Sequence, residues 1–254
     1  MGTLILNFLS TRLLANKYSK IFELIRNNDD PQISNELACL NNEKLELINF
    51  QNEQGVTLLM FAVYIGNAKI ISCLIDHGAN AKIKDKEGKN ALFYLANNKG
   101  SNKPEILKIL LKANCNVNDT DHNSTTCLIE AAKLNDTELV KALLDEDAKV
   151  EIFDMQGVGA LHRAIDNCNI DMVKLILSKK CTINHTDING ISALHIAAMH
   201  NDLELLKLLI NRGGNLNAKD NKMNTPLTFA RHFNSKEAFY YLKKFGGKEF
   251  KQRK

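Results

Sequence analysis

One period constrains this chain more than any other feature. Gly55, Gly88, Ser124, Gly157, Gly190 and Met223 follow one another at spacings of 33, 36, 33, 33 and 33 residues. Three places before each stands a short polar residue: Asn52, Asp85, Asp121, Asp154, Asp187 and Asp220. Four places after each comes a leucine: Leu59, Leu92, Leu128, Leu161, Leu194 and Leu227. Six units sharing three positions in register are the signature of stacked supersecondary modules, each too small to bury its own apolar faces.

The fifth unit shows the mechanics. Asp187 to Gly190 reads as a tight turn, in which the carboxylate accepts backbone N–H groups and glycine tolerates positive φ. Ser192 caps a first helix that runs to Ala198, where Ala197 and Ala198 permit close helix approach. Leu203 to Ile210 forms a second helix with a wide apolar face in Leu205, Leu206, Leu208, Leu209 and Ile210. Arg212, Gly213 and Gly214 end it, and Asn215 to Asn217 lead into the next turn.

These segments resemble ankyrin repeats, whose pattern is a D-x-x-G turn, then T-P-L-H-x-A-A, then L-L-x-x-G-A-x-x-N. The matches are carried by Thr225-Pro226-Leu227, by Ser192 to Ala198, by Ala160 to Ala164 and by Leu74 to Ala79. The resemblance covers residues 52 to 247. It implies an all-α solenoid of stacked helix-turn-helix units with hairpin-like tips, in repeats 52–84, 85–120, 121–153, 154–186, 187–219 and 220–247. Residues 1–51 then form an irregular helical cap around Tyr18 to Ile25 and Ile33 to Leu47, interrupted at Asp30 and Pro31, and 248–254 a basic, solvated tail. The sixth unit caps the other end, with Phe239, Tyr240 and Tyr241 closing the core.

Some positions depart from the pattern. The second unit has three extra residues between its helices, so the spacing predicts a longer loop ending near Pro104, with Lys103 extended before the proline. The terminal asparagine appears as Asn49, Asn118, Asn184 and Asn217, but Lys82 and Glu151 replace it in two units. Cys115 and Cys181 stand where the pattern has alanine and read as packing residues. Asparagine, at 31 residues, reads as a bias of genome composition.

No catalytic motif accompanies the repeats: G-x-S-x-G, H-E-x-x-H, G-x-G-x-x-G and G-x-x-x-x-G-K-[ST] are all missing. His162 and His195, 33 residues apart, are read as holding turn backbone in neighbouring loops. The six cysteines occur singly, with no CxxC pair, so neither a zinc site nor a redox pair is expected and a reducing compartment fits. No cofactor is expected. The net charge is +4, but six basic residues against one acid follow Tyr241. Subtracting that excess of five leaves −1 for the first 240 residues, which argues against a nucleic-acid partner.

The expected function is a non-catalytic scaffold or adaptor, monomeric and cytoplasmic, holding another protein. The resemblance implies that contacts fall on the concave side, at turn tips and the exposed ends of first helices. Read in register, Met155 and Ile188 form one apolar ladder and Val158 and Ile191 another, with neighbours about 10 Å apart as helix layers pack. Met199, Gln156 and Asn189 complete the expected partner site. The alternative is a targeting protein whose apolar start, Leu4 to Leu14, meets a membrane; a third is an enzyme whose site the sequence does not display. The richness in Asn, Ile and Lys associates the chain with host-associated bacteria or protists, where such proteins serve as secreted effectors.

Overall fold

The structure, a computed structural model, describes residues 16–39, 44–98 and 100–249. The apolar start and the tail from residue 250 lie outside the described residues. Among the described residues the regular structure is helical, with an isolated antiparallel bridge between Thr186 and Ser192. The chain divides into two compact units, residues 1–122 and 123–254.

The first unit opens with α1 (16–26), α2 (Asp30–Ala38) and α3 (Lys44–Ile48). Two helix pairs come next, α4 (Leu58–Ile65) with α5 (Ala68–Asp76) and α6 (Ala91–Ala96) with α7 (Lys103–Lys112). α4 packs on α6, α5 on α7 and α2 on α5. Asp30 and Pro31 do not interrupt a helix; they form the first turn of α2, with Asp29 as its cap. Two contacts tie α1 to the region of α4: the Tyr18 hydroxyl donates to the Val56 carbonyl at 2.9 Å, and Phe22 stacks on Phe61 with centroids 3.7 Å apart. Burial pushes the Tyr18 phenol up to about 12.

The second unit holds four pairs: α8 (Cys127–Lys133) with α9 (Thr137–Asp145), α10 (Ala160–Asp166) with α11 (Ile170–Leu177), α12 (Ala193–Met199) with α13 (Leu203–Asn211), and α14 (Pro226–His232) with α15 (Lys236–Lys244). Its first helices pack in sequence, α8 on α10, α10 on α12 and α12 on α14. Ala131, Ala164, Ala197, Ala198 and Ala230 are fully buried between them, and their lack of bulk permits that approach. The second helices bury Leu139, Met172, Leu205 and Ala238 at one register position. On their outer side Lys141, Lys174 and Lys207 are exposed, each three residues after Glu138, Asp171 or Glu204 in the first turn, where an acid opposes the helix dipole.

Many of the asparagines have structural work, which corrects the genome-composition reading. Asn28, Asn114, Asn135, Asn201 and Asn234 adopt positive φ between 57° and 63°, where a helix must end and reverse. Asn67, Asn90 and Asn169 cap helices through their side-chain oxygens. Asn49, Asn184 and Asn217 tie one inter-repeat loop to the next: Asn184 donates to the Gly213 carbonyl at 3.0 Å and accepts from the Asn215 N–H at 2.7 Å. Glu151, at the same register, takes the N–H and hydroxyl of Thr182 instead.

Four further expectations are corrected. Lys103 is helical, not extended, because Pro104 lies in the first turn of α7, where its missing N–H has no helical acceptor to leave unmatched. Phe239, Tyr240 and Tyr241 do not close the core; Ala238 and Leu242 do, and Tyr240 is 69% exposed. Lys248 and Glu249 are pinned rather than frayed, since the Lys248 N–H donates to Asn217, its carbonyl accepts from the Thr225 hydroxyl, and Glu249 pairs with Arg231. Cys115 is buried, its thiol pushed up to about 12 first by desolvation, but Cys181 is only half-buried.

Candidate functional site

Between the helix pairs project short fingers with one shared geometry. In the fifth repeat the Asp187 Oδ1 accepts from the Asn189 and Ile191 N–H groups at 2.9 and 2.8 Å. The Asp187 N–H donates to the Ile191 carbonyl, and the Gly190 N–H to the Asp187 carbonyl. Asn52, Asp85, Asp154 and Asp220 repeat this arrangement. Neighbouring fingers are joined by one backbone bond each: in the second unit, Met155 N–H to Asn123, Ile188 N–H to Gln156 and Asn221 N–H to Asn189, at 2.8–2.9 Å.

At Gly190 that stacking constrains the turn residue. Gly190 has φ of 77°, and a Cβ there would lie 2.9 Å from the next finger's Asn221 nitrogen and Asp220 Cα. Met223 adopts the same positive φ in the last finger. Its side chain is 46% exposed.

The expected partner-site residues separate into two groups. Met155 and Ile188 stand at consecutive finger tips, 62% and 61% exposed. Gln156 and Asn189, beside them, are exposed, and their carbonyls accept the finger-to-finger bonds. Val158, Ile191 and Met199 lie deeper and half-buried, and they line a cleft of about 170 Å³ against the inner side of α10, α12 and α14. Ile196 and Phe229 complete its apolar wall, with Arg163, Asp166 and Asp187 around it. Sequence reasoning missed Ile196 and Phe229 because each sits mid-helix among core residues. Their shared register with Arg163, at 33-residue steps, was the signal that marks the column.

The histidines serve the fold here. The His195 Nδ1 accepts from the Ser192 N–H at 3.1 Å, and Nε2 lies 3.1 Å from the Asn224 carbonyl, so the ring carries its proton on Nε2 and bridges two turns. His162 takes the Gly159 N–H on Nδ1 in the same way, but its buried Nε2 has no hydrogen-bond partner. Burial, and next the charge of His185, push the His162 imidazole down to about 4. Neither ring sits in a grouping suited to metal, and among the described residues no three His, Cys, Asp or Glu side chains are placed to hold one. No described helix is long and apolar enough to cross a membrane.

The first unit has its own cleft, of about 350 Å³, which sequence reasoning did not find. Lys86, Glu87 and Lys89 on the finger and Tyr64, Phe93 and Tyr94 on the helices line it. The Tyr94 hydroxyl donates to Asp85 Oδ2 at 2.7 Å; burial first, then that bond, raise its phenol pKa.

Comparison with known proteins agrees with this architecture. The ankyrin repeats model matches three times, over residues 21–121, 95–187 and 179–253. An ankyrin repeat protein of Acanthamoeba polyphaga mimivirus is 28% identical over 76 residues, covering 30% of this chain and 10% of that protein. Another, from Rickettsia bellii, is 29% identical over 103 residues, covering 41% of this chain and 14% of its relative. The chain thus spans a small part of the length of these relatives. The crystal structure of the ankyrin repeat domain of Bcl-3, a member of the IkappaB protein family, superposes with a TM-score of 0.74 at 23% identity, over 88% of this chain and 97% of that one. Helix pairs alternating with hydrogen-bonded fingers, and a family match running almost from end to end, place this chain in the ankyrin repeat family.

Proposed function

We propose that the chain is a non-catalytic protein-interaction scaffold whose partner docks on the finger tips and inner helices of the second unit. Met155 and Ile188 form the outer contact, Val158, Ile191 and Met199 the inner one, and Gln156 and Asn189 the polar edge. One observation carries this reading. Two large aliphatic side chains stand more than half exposed at the same position of consecutive fingers, where the fold uses only their backbone. The ankyrin fold, generally a protein-binding module, supports it. The division into six repeats from residue 52, with α1–α3 as the cap, belongs to the same reading. The Asn28 reversal between α1 and α2, which matches those between the two helices of later pairs at Asn135, Asn201 and Asn234, supports linking that cap to the repeats.

The test replaces Met155 and Ile188 by serine and compares affinity capture from the cell that makes the protein. Loss of a partner with an unchanged thermal midpoint supports the interface. A retained partner sinks it. A cytoplasmic setting is supported by six free thiols, and an effector role by the viral and rickettsial sources of two relatives. Fractionation of infected or host cells checks both.

A further inference from the structure

The cleft beside α10, α12 and α14 has a more specific chemistry than an apolar patch. Its floor is aliphatic and aromatic, from Ile191, Ile196, Met199 and Phe229. Its rim is not. Arg163 meets Asp154 through one terminal nitrogen at 3.4 Å, and its buried Nε has no hydrogen-bond partner. Asp187 and Asp166 remain, and they leave the rim with a net negative charge. Asp187 gives one oxygen to its own finger's N–H groups, and the other accepts from the Asn189 side-chain amide at 3.3 Å. Asp166 is 55% exposed, and one of its oxygens lies 3.1 Å from the His200 Nε2.

Three occupants can be compared on this ground. A purely apolar side chain would cover the floor but strip water from Asp166 with nothing in exchange. An acidic one would meet two like charges against the single Arg163, which already faces Asp154. A lysine or arginine lays its methylene stem on the floor and brings its charged head to the carboxylates. A cleft of about 170 Å³ has room for one such side chain. We infer that this cleft receives a single lysine or arginine side chain of the partner, the inference resting on the proposal that the partner docks on this face.

The experiment selects short random peptides displayed on phage against the full chain and then titrates the best synthetic peptide. The selected peptides share a basic residue. Replacing it by norleucine, or Asp166 by asparagine, weakens binding about tenfold, and the two changes together do no more than either alone. Asp166→Glu, which keeps the charge, restores most of the affinity. Selected peptides without a basic residue, or binding indifferent to Asp166→Asn, overturn the inference, as does failure to select any peptide. If such indifferent peptides still lose binding when Met155 and Ile188 become serine, the docking face stands and the basic anchor alone falls. If they ignore both sets, the docking face falls too.

Discussion

Gly190 and Gly213 both hold φ well into the left-handed region, at 77° and 90°, but their surroundings differ. A Cβ on Gly190 meets backbone of the next finger at 2.9 Å, whereas one on Gly213 has nothing within 4 Å. Both alanine variants carry the conformational cost of a left-handed residue, about 1–2 kcal/mol. Gly190→Ala must also push apart two fingers whose contact atoms are main chain and cannot rotate away, adding about 1–3 kcal/mol by analogy with overpacked cores. The expected totals are therefore about 1–2 kcal/mol for Gly213→Ala and about 2–5 kcal/mol for Gly190→Ala. Urea unfolding of the full chain measures both, and amide exchange at Asn221, which donates to Asn189, reports whether the finger contact opened. Equal losses, or a protected Asn221 amide in Gly190→Ala, would refute the claim that finger stacking dictates glycine here.

His162 makes stability depend on pH. Its imidazole has a folded pKa of about 4 against 6.5 unfolded, so the folded state binds fewer protons between those values. Stability is then full above pH 6.5 and falls by up to about 3 kcal/mol as pH drops towards 4; urea midpoints across that range check it, and His162→Gln flattens the profile. Asn98, 4% exposed, donates to the Val63 carbonyl at 2.7 Å and accepts from the Gly100 N–H. Asn98→Leu leaves both backbone groups unmatched and lowers stability by about 1–3 kcal/mol in thermal or urea unfolding. Asn184→Ala removes two loop-to-loop bonds and costs about 1–2 kcal/mol, read by the same assay. Met155→Ser with Ile188→Ser changes stability by less than about 0.5 kcal/mol, because both side chains are mostly in water.

The repeat was legible because its periodic positions answer to backbone geometry. The aspartates, turn residues and leucines occupy the same roles in each unit, so spacing alone located the fingers and the first helices. What spacing could not show was the work of residues outside that register. Asparagine reads as a neutral polar residue until its φ is known, and five of the 31 turn out to be reversal points between helices or after them. Lys103 was misplaced because the rule for residues before proline competes with proline's tolerance in a first turn, and the helix won. In the candidate site the finger residues were legible as members of a register. Ile196 and Phe229 were not, since a half-buried mid-helix residue has the same sequence appearance as a core one.

The bonds that join the fingers take an N–H from the residue after each aspartate and a carbonyl from the residue after that. Neither demand depends on a side chain. The two residues after each aspartate can therefore be exchanged one at a time with little change in folding free energy. With partners docking on the tips as proposed, a lineage carrying such fingers could pass from one partner to another through intermediates that all fold. On the docking face proposed here, recognition would drift at the tips while the aspartates beneath them hold the scaffold constant.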